Sequence, residues 1–198
     1  MKKLLKFVFA ILLLPVCANA TTIDFNDHDI GTIQASDNYD QVTLHDFAIV
    51  NMLGGNVYSV FSYNSSTFNM QNGDISGWIT LRDTSNLTTS GGFVEALEVY
   101  DSAVASMSGG NITRLATGPL GTGVVHIYGK NFELNFGGGW LIEGNWADET
   151  PFAIHYRSDS STPMPGSPNS NIFLHTIPEP MTMAFLLIGI SSIRKFRG

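Results

Sequence analysis

The sequence predicts an all-β fold, a short triangular β-solenoid of about five coils closed by a C-terminal β cap. Two observations support this prediction. Apolar residues recur in pairs spaced by two, which is the strand period. Glycines also recur at steps of 18, 19 and 18 residues, at Gly55, Gly73, Gly92 and Gly110. A fixed period of this length indicates a repeat architecture, in which coils stack about 4.8 Å apart.

Three groups of apolar residues are predicted to line the interior. The first is a single residue two places after each glycine, and the other two are pairs on one side of a strand. No coil could bury these side chains alone, so the pattern favours a body that folds only as a stack. The groups are Val57, Ile75, Val94 and Ile112; Val42/Leu44, Val60/Ser62, Ile79/Leu81, Leu97/Val99 and Leu115/Thr117; and Val50/Met52, Phe68/Met70, Leu87/Thr89, Ala105/Met107 and Val125/Ile127.

The repeats are expected to occupy residues 42–129. Residues 21–41 are expected to form an N-terminal cap, and residues 130–177 a closing β cap with a loop. Beyond Gly129 the period fades, but "NFELNF", "GWLIEGNWA", "PFAIHYR" and "NIFLHT" still alternate like strands. A solenoid needs such strands to cover its last core face.

Residues 1–20 have the order of a signal peptide, with a helix-forming apolar segment. Three lysines precede the apolar stretch Phe7–Leu14, and Ala18-Asn19-Ala20 supplies small residues at the cut. Signal peptidase would therefore cleave after Ala20. A retained anchor and a lipoprotein acylated at Cys17 are the alternatives, although Val16 is large for the second. Because Cys17 is the only cysteine, the cleaved chain would contain no disulfide and no thiolate metal site.

The last 21 residues form a second export-related segment. Pro178-Glu179-Pro180 precedes the apolar run Met181–Ile193, and Arg194–Arg197 follows it. A tail helix of 13 residues rises about 20 Å, against a hydrocarbon core of about 30 Å. Basic residues directly after an apolar run stop translocation. The pattern predicts a temporary membrane anchor, with a permanent tail anchor as the alternative.

This three-part order resembles the PEP-CTERM sorting signal of exported proteins in exopolysaccharide-producing Gram-negative bacteria. The resemblance implies cleavage by a membrane protease called exosortase. It implies transient anchoring in the inner membrane, followed by release to the cell surface or extracellular matrix. The residues that would be read are Pro178, Glu179, Pro180, Arg194, Lys195 and Arg197.

The body has its own, weaker resemblance. Its "SGG" turns, followed by "HIYGKNFEL" and "WADETPF", are similar to a family of repetitive exported proteins built from "YDNSTVNISGG"-like units. Members of that family often carry a PEP-CTERM tail. The resemblance covers roughly residues 40–155 and implies a repetitive exported body, without assigning an activity.

Charge limits the partners of the mature body. Residues 21–177 keep 4 of the 10 Lys+Arg and 16 of the 17 Asp+Glu, so their net charge is near −12. This charge argues against nucleic acid and against anionic membrane surfaces as partners. Contact with a membrane is therefore expected only through the terminal segments.

One repeated column is polar: Asp46, Asn64, Asp83 and Asp101. Asn and Asp tolerate left-handed backbone and favour turns, so we interpret the column as turn chemistry and expect no metal or cofactor. The alternative is a Ca²⁺ ladder on Asp46, Asp83 and Asp101, which would relieve repulsion between the stacked carboxylates.

The residues that precede this column are expected to face outward as a stripe: His45, Tyr63, Arg82 and Tyr100. Tyr and Arg suit exposed strand surfaces. The alternative is that the stripe stacks on sugar rings.

No nucleophile elbow, phosphate loop or metal-ligand motif stands in the sequence. We therefore predict a non-enzymatic structural or adhesive protein of the surface or matrix. The alternative is a module that binds exopolysaccharide through the stripe. A polysaccharide lyase with Arg82 beside Asp83 and Asp101 is the weakest hypothesis.

Overall fold

The computed structural model describes residues 21–117, 123–135, 140–157 and 171–178. In these ranges it contains thirteen strands and no helix. The strands are β1 Thr22–Phe25, β2 Ile30–Ile33, β3 Asn38–Leu44, β4 Ile49–Met52, β5 Asn56–Ser62, β6 Thr67–Met70, β7 Asp74–Leu81, β8 Asn86–Val99, β9 Val104–Thr117, β10 Val124–Asn135, β11 Trp140–Asn145, β12 Pro151–Arg157 and β13 Ile172–Thr176.

Successive coils pair in parallel, which confirms the predicted β-solenoid of about five coils. One ladder runs through β1, β3, β5, β7, β8 and β9, and another begins with β2, β4 and β6 before it reaches β8. Equivalent residues of the repeat are register partners. The first ladder aligns Val42, Val60, Ile79, Leu97 and Leu115, and the second aligns Val50, Phe68, Leu87, Ala105 and Val125.

The predicted interior columns form the core. Each of their members is buried, and none exposes more than 3% of its surface. The polar members are hydrogen-bonded, as burial requires. The Ser62 hydroxyl lies 2.7 Å from the Ser66 hydroxyl, and the Thr89 hydroxyl donates to the Gly109 carbonyl at 2.9 Å.

A column of glycines turns the chain at one corner of four successive coils. Gly55, Gly73, Gly92 and Gly110 have φ values of 86°, 104°, 85° and 95°. L-residues rarely adopt this backbone region. A Cβ on Gly92 would also lie 2.6 Å from the carbonyl oxygen of Gly73 in the preceding coil. The repeated glycine that revealed the period is therefore required by both the corner and the stacking.

Residues 21–41, expected as an N-terminal cap, contribute a coil of the stack. β1 pairs in parallel with β3, and β2 pairs in parallel with β4, both in the register of the later coils. Phe25 fills the interior of this coil, since a Cβ on Gly31 would lie 2.3 Å from the Phe25 ring. The solenoid therefore begins about one coil earlier than the glycine period indicates.

The opposite end is covered by strands that leave the repeat. β11 pairs antiparallel with β10 and β12, while β12 continues the parallel ladder from β9. β13 adds in parallel to β10. Trp146, Phe152, Ile154 and Tyr156 are buried against the last coil. These strands close the core where the sequence predicts a C-terminal cap.

The predicted signal helix at 1–20 and tail helix after Glu179 lie outside the described residues. Within the described ranges, no helix has the length and hydropathy needed to cross a bilayer.

Two adjacent residues of β8 can test which side chains of the strand face the core and which face solvent. Leu87 is fully buried, whereas Thr88 is exposed. We expect Leu87→Asp to prevent folding, because it buries a charge without a partner. Thr88→Asp should leave the far-UV circular dichroism spectrum and melting temperature nearly unchanged. Equal loss of structure in both variants would contradict the assignment.

Candidate functional site

Most of the predicted processing residues lie outside the described ranges. These are Ala18, Ala20, Glu179, Pro180, Arg194, Lys195 and Arg197. Pro178 is described and is exposed, directly after Ile177 at the end of the described chain.

The polar column lies at the turns that follow the first ladder. Asp46, Asn64, Asp83 and Asp101 have φ values of 56°, 56°, 58° and 52°, in the left-handed region. Each turn is closed in the same way, as where the Ala48 amide donates to the His45 carbonyl at 3.1 Å. Asn and Asp populate this backbone region far more readily than other non-glycine residues. The turn explains why the column recurs.

Hydrogen bonds also join the column from coil to coil. The Asn64 side-chain amide donates to Asp46 at 2.9 Å, and the Asn64 backbone N–H donates to Asp83 at 2.9 Å. The Asp83 backbone N–H donates to Asp101 at 3.2 Å. Asn64 thus stands between two carboxylates and donates to both. The described residues contain no group of three or more His, Cys, Asp or Glu arranged to hold a metal ion.

The predicted outward stripe consists of two stacked pairs. The His45 and Tyr63 rings are parallel within 7°, with centroids 5.1 Å apart. The Arg82 guanidinium lies 4.8 Å from the centroid of the Tyr100 ring. In each pair, the two members cover one face of each other. One face of each of these rings is therefore covered by its neighbour and is not available to a sugar.

A groove lies beside the stripe, on the outer face of β8, β9 and β12. Its volume is about 250 Å³. Its floor carries the small side chains Ala96 and Ala116 and the backbone around them. Trp78 and Trp140 line it, together with the polar residues Glu98, Arg114 and His155. The groove exists because two alanines sit among large outward side chains.

An extra residue in one coil positions Trp78. Ile75 is 18 residues beyond its partner Val57, whereas Ile79 is 19 beyond its partner Val60. The added residue forms a bulge between Ile75 and Trp78. Bulges re-aim side chains locally, and here the tryptophan is left 40% exposed.

Gly77 allows a second aromatic residue to support Trp78. A Cβ at Gly77 would lie 2.5 Å from the Tyr58 carbonyl oxygen and 3.3 Å from its ring. Because Gly77 has no Cβ, Tyr58 can pack edge-on against Trp78, with ring centroids 5.9 Å apart and ring planes at 88°. This contact restrains the tryptophan on the groove wall.

The polar residues of the groove are held by neighbours. Glu98 accepts hydrogen bonds from the Tyr100 hydroxyl at 3.2 Å and the Thr80 hydroxyl at 3.4 Å. Arg114 forms an ion pair with Glu95 at 3.0 Å. The groove therefore presents an oriented carboxylate and a guanidinium whose charge is balanced.

A second, wider cleft lies between the glycine corner and residues 146–153 of the cap. Its volume is about 860 Å³, and Ser90–Gly92 and Ser108–Asn111 line one side. The Trp146 indole donates to the Gly110 carbonyl at 2.8 Å, which ties the cap to this corner. The corner side of the cleft is lined by glycines and small polar residues, and the cap side includes Trp146, Pro151 and Phe152.

Four aromatic side chains cluster where β13 joins β10. His126 and His175 are joined by a 2.8 Å contact between ring nitrogens, so one ring donates and the other accepts. The Tyr128 and His175 rings stack at 4.6 Å, and the His126 and Phe173 rings at 5.4 Å. Partial burial, and secondarily the charge of a protonated His175, lower the pKa of His126.

No family model matches the chain, and neither a curated protein nor a solved structure matches it significantly.

Sequence reasoning did not identify the groove. Register partners such as Trp78, Ala96 and Arg114 differ in residue type, so no repeated residue in the sequence marks their positions. One signal was present: the step from Gly73 to Gly92 is 19 residues, between two glycine steps of 18, and it contains the bulge.

We expect the turn column to depend on backbone conformation more than on charge. Asn64→Ala should lower stability by about 1–2 kcal/mol, since alanine is strained in left-handed backbone. Asn64→Gly removes the same amide without that strain and should cost less in urea denaturation. Equal losses would show that the side-chain hydrogen bonds dominate.

Calcium is not expected to stabilise this column, because its carboxylates already accept N–H hydrogen bonds. Neither calcium nor a chelator should change the melting temperature. A large drop with the chelator would support the calcium ladder.

Stability should fall as pH drops from 8 towards 5. The folded state disfavours protonated His126, so the unfolded state binds the proton first, near its ordinary pKa of about 6.5. The contribution of this group is complete above that pH and is lost as pH falls through the lowered folded pKa. Urea denaturation across this range should show a shallower slope for His126→Gln and for His175→Gln. An unchanged slope in both variants would contradict this role.

Proposed function

We propose that this chain is an exported, non-enzymatic structural protein of the cell surface or extracellular matrix, sorted by a C-terminal PEP-CTERM signal. The observation that carries the proposal is the continuous parallel pairing of strands from the first coil to the cap. A stack in which each coil pairs with the next gives a stiff element without disulfides or metal. Each coil has three groups of inward residues, and three groups favour a triangular cross-section for this element.

The terminal segments and the charge support an extracellular placement. The predicted signal peptide and the PEP-CTERM-like tail flank a body whose net charge is near −12. Such a charge keeps a protein soluble and separated from anionic surfaces. Signal peptidase and an exosortase-like protease are the processing partners in this proposal, and exopolysaccharide is the surrounding material.

The alternatives have less support. A carbohydrate-binding role through the stripe would require open ring faces, but His45 stacks on Tyr63 and Arg82 covers Tyr100. A lyase built on Arg82 is likewise weakened, because Arg82 already lies over the Tyr100 ring.

Mass spectrometry of cell fractions tests the proposal in a host that has an exosortase. Wild-type protein should occur in the matrix or surface fraction without residues 1–20 and without at least its last 18 residues. Glu179→Ala should accumulate at the inner membrane with its tail attached. Glu133→Ala, an exposed glutamate of the body, is the matched control and should be processed normally. Wild-type protein that retains Gly198, or that is found only in the periplasm, would overturn the proposal.

A further inference from the structure

The groove beside the stripe has the features of a ligand site. We propose that this groove, between Trp78 and Trp140, binds an uncharged saccharide chain. The site adjoins the stripe, since the Tyr100 hydroxyl donates to Glu98 in the groove, and it is separate from the sorting signal. It goes beyond the structural role proposed above, which assigns no ligand.

The shape of the groove suits an extended ligand. Trp78, Ala96, Arg114 and His155 are successive register partners across β7, β8, β9 and β12. At about 4.8 Å per coil, Trp78 and His155 are about 14 Å apart along the stack. A ligand on this floor would contact several coils at once. It would therefore be an oligomer rather than a single small molecule.

The lining has the chemistry of a sugar site. A pyranose ring has an apolar face of C–H groups and a rim of hydroxyls. Trp78 and Trp140 offer aromatic surface to the C–H face. Glu98, Arg114 and His155 offer hydrogen-bond donors and acceptors to the hydroxyls. Carboxylate and guanidinium groups are planar and can each engage two neighbouring hydroxyls. A few oriented polar groups within an apolar lining are typical of specific ligand sites.

Charge favours a neutral glycan over an anionic polymer. The Arg114 guanidinium is paired with Glu95 at 3.0 Å, and Glu98 adds a further carboxylate. The body as a whole is near −12. Polyanions such as nucleic acids or uronate chains would therefore be repelled on approach.

Strand pairing disfavours an extended peptide. The usual way to hold an extended peptide on a sheet is to add it to an unpaired strand edge. β8 is paired on both sides by β7 and β9, β9 by β8 and β12, and β12 by β9 and β11. The groove floor is thus the face of a sheet whose backbone groups are already used. Side chains alone would make the contacts.

The walls are preorganised, which lowers the ordering cost of binding. The bulge after Ile75 fixes the position of Trp78, and the Tyr58 ring, 50% exposed, packs edge-on against it. The hydroxyls of Tyr100 and Thr80 hold Glu98. The extra residue in the step from Gly73 to Gly92 therefore builds a wall of the site.

Affinity gel electrophoresis with purified full-length protein tests this inference. The protein is kept in a zwitterionic, sugar-free detergent, and the gels contain dextran, hydroxyethyl cellulose, galactomannan or alginate. At least one of the three neutral polysaccharides should retard the protein, and alginate should not. Trp78→Ala should weaken the retardation about tenfold in apparent affinity, and Glu98→Gln should also weaken it. Trp78→Phe should recover part of the loss.

Tyr63→Ala is the matched control, because it removes an aromatic residue of the stripe and leaves the groove intact. It should bind within about twofold of wild type. Circular dichroism confirms that each variant is folded. The proposal is overturned if no neutral polysaccharide retards the wild-type protein, if alginate alone does, or if folded Trp78→Ala and Tyr63→Ala bind equally. Because the assay does not depend on export, its outcome is independent of the sorting proposal.

Discussion

The parallel stacking of each coil on the next is the constraint on which this structure depends. A spacing of about 4.8 Å requires that each side chain fit above and below its equivalents. At inward positions, apolar side chains stack on one another in columns. Two positions after the Asp/Asn turn column, only small residues stack, and all are buried: Ala48, Ser66, Ser85 and Ala103. At the glycine corner, a Cβ on Gly73 would lie 2.8 Å from the Gly55 carbonyl oxygen. The composition of the repeat therefore follows from stacking.

Stacking leaves the core face of the first and of the last coil without a neighbouring coil. The two ends are covered in different ways. At the first coil, the partly buried Phe25 of the same coil packs against the core. At the last coil, the chain abandons the repeat and folds a hairpin, β11–β12, over the core. Lys130, 4% exposed, pairs with Glu149 at 2.5 Å within this cap. Lys130 lies on β10 and Glu149 lies in the turn before β12, so the pair ties that turn to the end of the solenoid.

The outer surface is where this chain departs from its repeat. A regular solenoid presents flat faces, because equivalent outward residues stack in rows. One inserted residue produces a bulge, and the bulge turns Trp78 outward beside the alanine floor. The cap supplies Trp140 and His155 to the same groove. The groove thus needs both the irregular coil and the returning hairpin.

The sequence by itself determined the all-β class, the interior columns and the turn positions. These properties are local. A strand buries alternate residues, and a Gly or Asp such as Gly92 or Asp83 indicates a positive φ in its own turn. Only the tertiary structure decided that residues 22–33 form a coil, that the stripe pairs His45 with Tyr63, and that a groove exists. Its residues lie on β7, β8, β9 and the cap, and His155 is 41 positions from Arg114 in the chain although the two are register partners. The outward residues of the groove are not constrained by burial and differ in type from coil to coil, so no repeated pattern in the sequence indicates that they are neighbours.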